Sequence, residues 1–360
     1  MKKLLTLMLA LVMVLALVAC ANSNTNGNSN TNAPTDTPPA TSSALPYAGH
    51  KIGYCPVTLT NSFLKWIADK LTYYCNLQGI EFYATEGELN IAVQIQQMEN
   101  FIAMGCDVII AQPTNLDAYE SIVNQARDLG IKIIFWADDP PYDVEAFYLD
   151  NSVAVGTICG EMAVAWADKT FGKNAPAGSI KVAWLTTEYD DRPDAKTRQD
   201  AMIAAISDDP RFDVVFRKDN IRTAGDATAA TNECLALNRD INVVFAFDAG
   251  YAIGANAAFM ADKSLDYDKI AIFSVSTEEE MLKMVDLSAT NDGSVMRGLV
   301  TFGEGDSYIT KAVEVITGII DGTVPLNSAY FCDLPAYNSV GYVSTYDPQE
   351  AARTYVKNTR

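Results

Sequence analysis

From residue 52 onward the chain alternates between short apolar runs and longer amphipathic ones. Residues 52–57, 80–84, 107–111 and 131–136 are strand-length and mostly apolar. Between them, residues 62–78, 91–104 and 116–129 repeat apolar residues at helical spacing. Phe63, Trp66, Ile67 and Leu71, for example, share one face. Gly79, Gly105 and Gly130 stand where these helices should stop, as C-terminal caps do. Near-continuous apolar strands separated by amphipathic helices predict a parallel sheet covered on both faces. The rhythm restarts after Asn151, with a helix over 153–171, a strand over 180–186 and a helix over 195–207. Further strands follow at 213–216, 241–247, 270–275 and 296–302. The expected fold class is α/β, with two doubly wound parallel-sheet lobes. A body running from 47 to 360 also exceeds what one hydrophobic core serves.

In such sheets ligands sit outside the carboxyl ends of the strands. The places to look for function are therefore residues 58–63, 112–115, 137–140, 187–191, 248–251 and 274–277. These ends carry acids (Asp138, Asp139, Glu188, Asp190, Asp248). Aromatic residues lie at or near them: Phe63, Trp66, Trp136, Tyr189, Tyr251 and Phe302. Each has a plainer role to weigh. A strand-end acid also caps the following helix, and Trp66 sits on an apolar helix face, where core residues belong.

Several segments, in order along one chain, resemble the type I periplasmic binding proteins of the ribose and galactose kind. Lys51-Ile52-Gly53-Tyr54 with Asn61-Ser62-Phe63-Leu64 resembles the family's first strand and the loop after it. Gly105-Cys106-Asp107 through Gln112-Pro113-Thr114, Gly130-Ile131-Lys132-Ile133-Ile134 and Leu149-Asp150-Asn151 resemble later family segments. So does Phe245-Ala246-Phe247-Asp248 with Ala252-Ile253-Gly254. The resemblance spans residues 50–330. It implies two lobes joined by a three-segment hinge that close over a ligand. It also implies a substrate receptor of a sugar ABC transporter, not an enzyme.

The same resemblance implies ligand-binding residues, some of them altered here. Asn61 and Phe63 match the family's amide and stacking aromatic, and Gln112 stands where the family has asparagine. Asp138 and Asp139 align with an Asp-Arg pair whose arginine is absent. Lys196 is the expected ligand-facing cation, with Arg198 as its scaffold neighbour. Asp248 replaces an asparagine; Tyr189 and Asp190 join the candidates from their place after the strand over 180–186, not from the resemblance. A site that pairs each hydroxyl of a sugar rejects isomers, because an unpaired buried polar group costs about 1–3 kcal/mol. A monosaccharide is the expected ligand, and the surplus of acids keeps a nucleoside or a cationic ligand in view as the alternative. The expected lobe boundaries are 47–151 plus about 304–330, and about 152–303 plus 331–360.

The first 46 residues have a different character. Lys2 and Lys3, an apolar run over 4–18 and small residues before Cys20 form a secretory signal. The tetrad Leu17-Val18-Ala19-Cys20 resembles the lipobox of bacterial lipoproteins, implying a signal peptide over 1–19 and acylation of Cys20. The run is shorter than the roughly twenty residues a spanning helix needs. Residues 20–46, rich in Asn, Ser, Thr and Pro, are expected to be a disordered tether. The expected protein is thus extracytoplasmic, anchored to the bilayer by Cys20, monomeric, and partnered with a membrane permease.

Net charge is −19, and two units lower once Lys2 and Lys3 leave, so nucleic acid is not an expected partner. Cys55, Cys75, Cys106, Cys159, Cys234 and Cys332 are scattered singly without nearby histidines, so no metal site and no cofactor is expected. They read mostly as free buried thiols. His50, the chain's single histidine, precedes the first strand, which removes most acid–base and Ser-His-Asp schemes. The rival functions are a glycosidase and a sensor for a membrane kinase. Sequence does not separate sensing from transport.

Overall fold

The computed structural model describes residues 45–113, 115–187 and 193–355. The first half of the chain forms β1 (Lys51–Cys55), α1 (Ser62–Leu77), β2 (Glu81–Ala84), α2 (Ile91–Ala103), β3 (Val108–Ala111), α3 (Glu120–Asp128), β4 (Lys132–Trp136) and β5 (Ala146–Leu149). The second half forms α4 (Ser152–Phe171), β6 (Ile180–Leu185), α5 (Pro193–Ser207), β7 (Phe212–Lys218), α6 (Ala224–Leu237), β8 (Ile241–Ala246), α7 (Ala249–Ala261), β9 (Ala271–Val275), α8 (Glu279–Ser288) and β10 (Met296–Val300). The chain ends with α9 (Ser307–Ile320), β11 (Ser328–Phe331), β12 (Ala336–Asn338) and α10 (Pro348–Thr354).

Two six-stranded sheets result, in the orders β11-β5-β4-β3-β1-β2 and β12-β10-β9-β8-β6-β7. All pairings are parallel except that of β12 with β10. Every residue of β3, β8, β9 and β10 is buried, as a strand covered by helices on both faces must be. The protein therefore consists of two doubly wound α/β lobes.

The chain passes between the sheets at 150–151, 301–306 and 332–335. At the first pass Asn151 adopts a left-handed backbone (φ 46°), and its side chain caps α4 by accepting from Ala154 N at 3.2 Å. Residues 339–347 then lead back to the first lobe. Its Tyr355 ring lies 5.7 Å from Phe331, and its hydroxyl donates to Asp139. The expected placement of 331–360 with the second lobe is corrected for this stretch. A partly buried aromatic ring and its hydroxyl partner hold residue 355 on the first lobe. The start of the body is tied to the same lobe, where Tyr47 N donates to Gln78 O at 3.0 Å.

In the second lobe α4 and α5 pack backbone to backbone. A Cβ on Gly156 would lie 2.1 Å from the Arg198 carbonyl oxygen, and one on Gly160 would lie 2.4 Å from Ala205 Cβ. The six cysteines named above are all buried and free. Burial pushes the thiols of Cys55, Cys75, Cys159 and Cys234 up to about 12. At ordinary pH they are small apolar side chains, not nucleophiles.

Candidate functional site

The carboxyl ends of the two sheets face each other across a cleft, and the loops there carry the candidate residues. On the first lobe, the loop from β1 to α1 is held from outside by Glu86. Its Oε2 accepts from Leu59 N and its Oε1 from Glu88 N, both at 2.8 Å. Burial alone would raise the Glu86 pKa, but the N–H groups of Glu88, Leu59 and Gly87 and the Thr58 hydroxyl together hold it below its ordinary value. The loop thus delivers Asn61 to the start of α1, where its Oδ1 accepts from Leu64 N at 3.1 Å. On the second lobe Asp248 does the same for α7, with Oδ1 accepting from Tyr251 N at 3.2 Å.

A cavity of about 60 Å³ lies between these loops. Asn61, Phe63, Gln112 and Trp136 line it from the first lobe, Arg198, Phe247, Asp248 and Val275 from the second, and Asp150 and Phe302 from crossing segments. Ligand pockets hold roughly 300–1,000 Å³, so the cleft is shut in this conformation. Its walls are aromatic: Phe63 stacks on Phe302 at 5.1 Å, and Trp136 uses its indole N–H on the Tyr308 hydroxyl at 2.8 Å. Arg198 Nη2 bonds Asp150 Oδ2 at 3.0 Å, with both side chains at least nine-tenths buried, and its guanidinium lies 5.1 Å from the Phe247 ring centre. Two polar atoms of lining residues, Gln112 Oε1 and Arg198 Nε, are buried and make no hydrogen bond.

Of the predicted residues, Asn61, Phe63, Gln112 and Asp248 come together around this cavity. Asp138 and Asp139 do not line it. Ala137 turns through a left-handed backbone (φ 75°) at the end of β4, and beyond it Asp139 Oδ2 accepts from the Tyr355 hydroxyl. Lys196 is also misplaced by the sequence argument. It is exposed on the outer face of α5 and pairs with Asp200, whereas Arg198 carries the cation into the cleft. Tyr189, Asp190 and Cys20 lie outside the described residues. The residues missed are Arg198 as a cleft residue, Asp150, which reads as a hinge residue, and Phe247. For Arg198 a signal existed: Ala195, Arg198, Gln199, Met202 and Ile206 are buried at helical spacing, and position 196 falls off that stripe.

Residues 52–318, most of the chain, match the family described as the periplasmic binding protein domain. The chain belongs to the periplasmic binding protein family. As a periplasmic binding protein it is a substrate-binding protein and not an enzyme, and its family is extracytoplasmic. Among curated relatives, a protein of Rhizobium meliloti named as rhizopine-binding is 32% identical over 91 residues. That match covers 24% of this chain and 29% of the relative, so the chain matches under a third of that protein's length. Three solved structures share the fold of this binding protein. The component of an arabinose ABC transporter from Shewanella superposes with a TM-score of 0.67 at 16% identity, covering 80% of this chain and 92% of that one. A protein of Actinobacillus succinogenes with bound D-allose gives 0.67 at 17%, covering 85% and 100%. One of Bacillus halodurans with bound myo-inositol gives 0.64 at 19%, covering 86% and 99%. No helix of the described residues of the binding protein is long and apolar enough to cross a membrane.

Proposed function

We propose that this periplasmic binding protein is the substrate receptor of an ABC importer and that its cleft takes a monosaccharide by hinge closure. Lipid on Cys20 holds it at the membrane, with residues 21–46 as the tether that keeps it near its permease. The observation that carries the ligand class is the pair of unsatisfied groups on opposite walls. Gln112 Oε1 is an acceptor on the first lobe, and Arg198 Nε–H is a donor on the second. Each costs about 1–3 kcal/mol while unpaired in a closed cleft. A hydroxyl both donates and accepts, so a ligand carrying several of them relieves both. The aromatic side chains of Phe63, Trp136 and Phe247 in the lining suit the C–H surface of a sugar. Solved structures of like fold with arabinofuranose and D-allose agree with this class, and one with the cyclitol myo-inositol carries the same dense set of hydroxyls.

The test is a thermal-shift panel of pentoses, hexoses, sugar alcohols, nucleosides and amines. A ligand present at 100 times its dissociation constant stabilises the protein by about 2.7 kcal/mol. A response to a nucleoside or an amine, with silence from every sugar and sugar alcohol, would sink the monosaccharide assignment. Anchoring is tested apart from binding: Cys20→Ser should move the protein from the membrane fraction to the medium or periplasm.

A further inference from the structure

The charged side chains that line the cleft do not balance. Among the described residues the lining holds two carboxylates, Asp150 and Asp248, against one cation, Arg198. Arg198 is bonded to Asp150 at 3.0 Å with both side chains at least nine-tenths buried, so that pair cancels itself. Asp248 adds a negative charge beyond it, and capping does not require that charge. Its Oδ1 caps α7 by accepting from Tyr251 N at 3.2 Å, and asparagine caps a helix equally well. Its Oδ2 accepts from Asn61 Nδ2 at 3.3 Å, and a carboxylate offers about four acceptor positions in all. The charge also has a local cost. Half-buried Glu278 is held above its ordinary pKa by burial first and, against the opposing pull of Ser62, by the charge of Asp248. A second acceptor is independent of these acids. Gln112 is only 6% exposed, and its buried Oε1 makes no hydrogen bond. Its backbone is fixed from both sides, with N donating to Cys55 O at 3.0 Å and O accepting from Gln94 Nε2 at 2.8 Å. Its side chain is therefore built into the cleft wall with an acceptor to spare.

We infer that the sugar taken by this cleft bears a primary amine, held as an ammonium by Asp248 and Gln112. The inference rests on the reading of the cleft as a monosaccharide site and narrows that class to aminodeoxy sugars. An ammonium has three donors and no acceptor, which suits a carboxylate and an amide oxygen better than a hydroxyl does. It also supplies the positive charge that the lining lacks. The aromatic side chains of Phe63, Trp136, Phe247 and Phe302 around it favour a cation further. The Arg198 Nε–H, a donor on the second lobe, then serves a hydroxyl or the ring oxygen of the same ligand.

The test is titration calorimetry on the full chain carrying Cys20→Ser, at about pH 6, where sugar amines are protonated. The probes are pentoses and hexoses with an amine at carbon 2, 3 or 6, each beside its neutral parent and its N-acetyl form. One aminodeoxy sugar should bind about ten- to hundredfold tighter than its parent, as for hydrogen bonds to a charged group. Acetylation removes the charge and should remove that advantage. Asp248→Asn keeps the cap on α7, so the helix survives, and should bring the ratio of amine to parent affinity towards one. Gln112→Glu adds a charge at the second acceptor and should raise the ratio. Neutral parents that bind as tightly as their amines overturn the inference and leave the sugar assignment standing. A ratio unchanged in Asp248→Asn overturns it as well. Silence from every probe, aminated and neutral alike, overturns both readings together, so the two failures are distinguishable.

Discussion

Side chains that share a strand end differ in fate according to where the backbone turns. Asn61, Gln112 and Asp248 were legible as cleft residues because a loop position and a family position agree for each. Asp139 was not, since its partner is Tyr355, more than two hundred positions along the chain, and nothing local announces that contact. Arg198 and Lys196 differ only in helical phase, and the phase decides. Arg198→Ala removes the cation paired with the buried Asp150 carboxylate and should cost on the order of 3–5 kcal/mol of stability, with ligand binding lost. Lys196→Ala removes an exposed pair and should change stability by no more than about 0.5 kcal/mol; paired melting and binding titrations separate the two. Glu278 makes a pH-dependent prediction. Burial first, then the charges of Asp248 and Glu280, raise its pKa above the ordinary carboxylate value, against the opposing pull of Ser62 and Ser276. An acid with a raised folded pKa weakens the fold once it ionises, and the penalty vanishes where both states are protonated. Glu278→Gln should therefore raise the melting temperature at pH 8 and lose that advantage by about pH 4. Equal melting of the two proteins at pH 8 would refute it.

Among the elements, the strands buried on both faces were the easiest to read, and the edges the hardest. β3 and β9 announce themselves as apolar runs between helices. β11 and β12, four and three residues long, lie at sheet edges with half-exposed side chains, so neither period nor composition marks them. The contact of α4 with α5 was invisible as well, though its glycines stand in the sequence four apart. That contact matters for the site because the atom facing Gly156 is the backbone oxygen of Arg198 itself. Gly156→Ala should push α5 outward, cost about 1–3 kcal/mol through overpacking, and weaken ligand binding by moving Arg198. A melting curve and a binding isotherm check both effects. Unchanged affinity in a destabilised variant would show that the guanidinium position is not set by this contact.

At the scale of the whole molecule, two lobes and their order in the chain follow from the repeated strand–helix rhythm, whereas the return of the last residues does not. Residues 339–347 run along the hinge: Tyr342 donates to Glu161, and Asn151 donates to the Tyr346 hydroxyl at 3.4 Å. Beyond them α10 rests against β11. Deleting 342–360 should leave both sheets folded, as judged by circular dichroism, yet lower stability by on the order of 2–4 kcal/mol through lost hydrogen bonds and packing. An unaltered melting temperature would remove any role for this strap. Its course has a mechanical consequence. Tyr47 and Tyr355, near the two ends of the described residues, are both tied to the first lobe. Tension between these two tyrosines is borne within a single lobe and exerts no leverage on the other. A reporter domain inserted beside Tyr47 or directly after Tyr355 is therefore carried by the first lobe, leaving the second unencumbered.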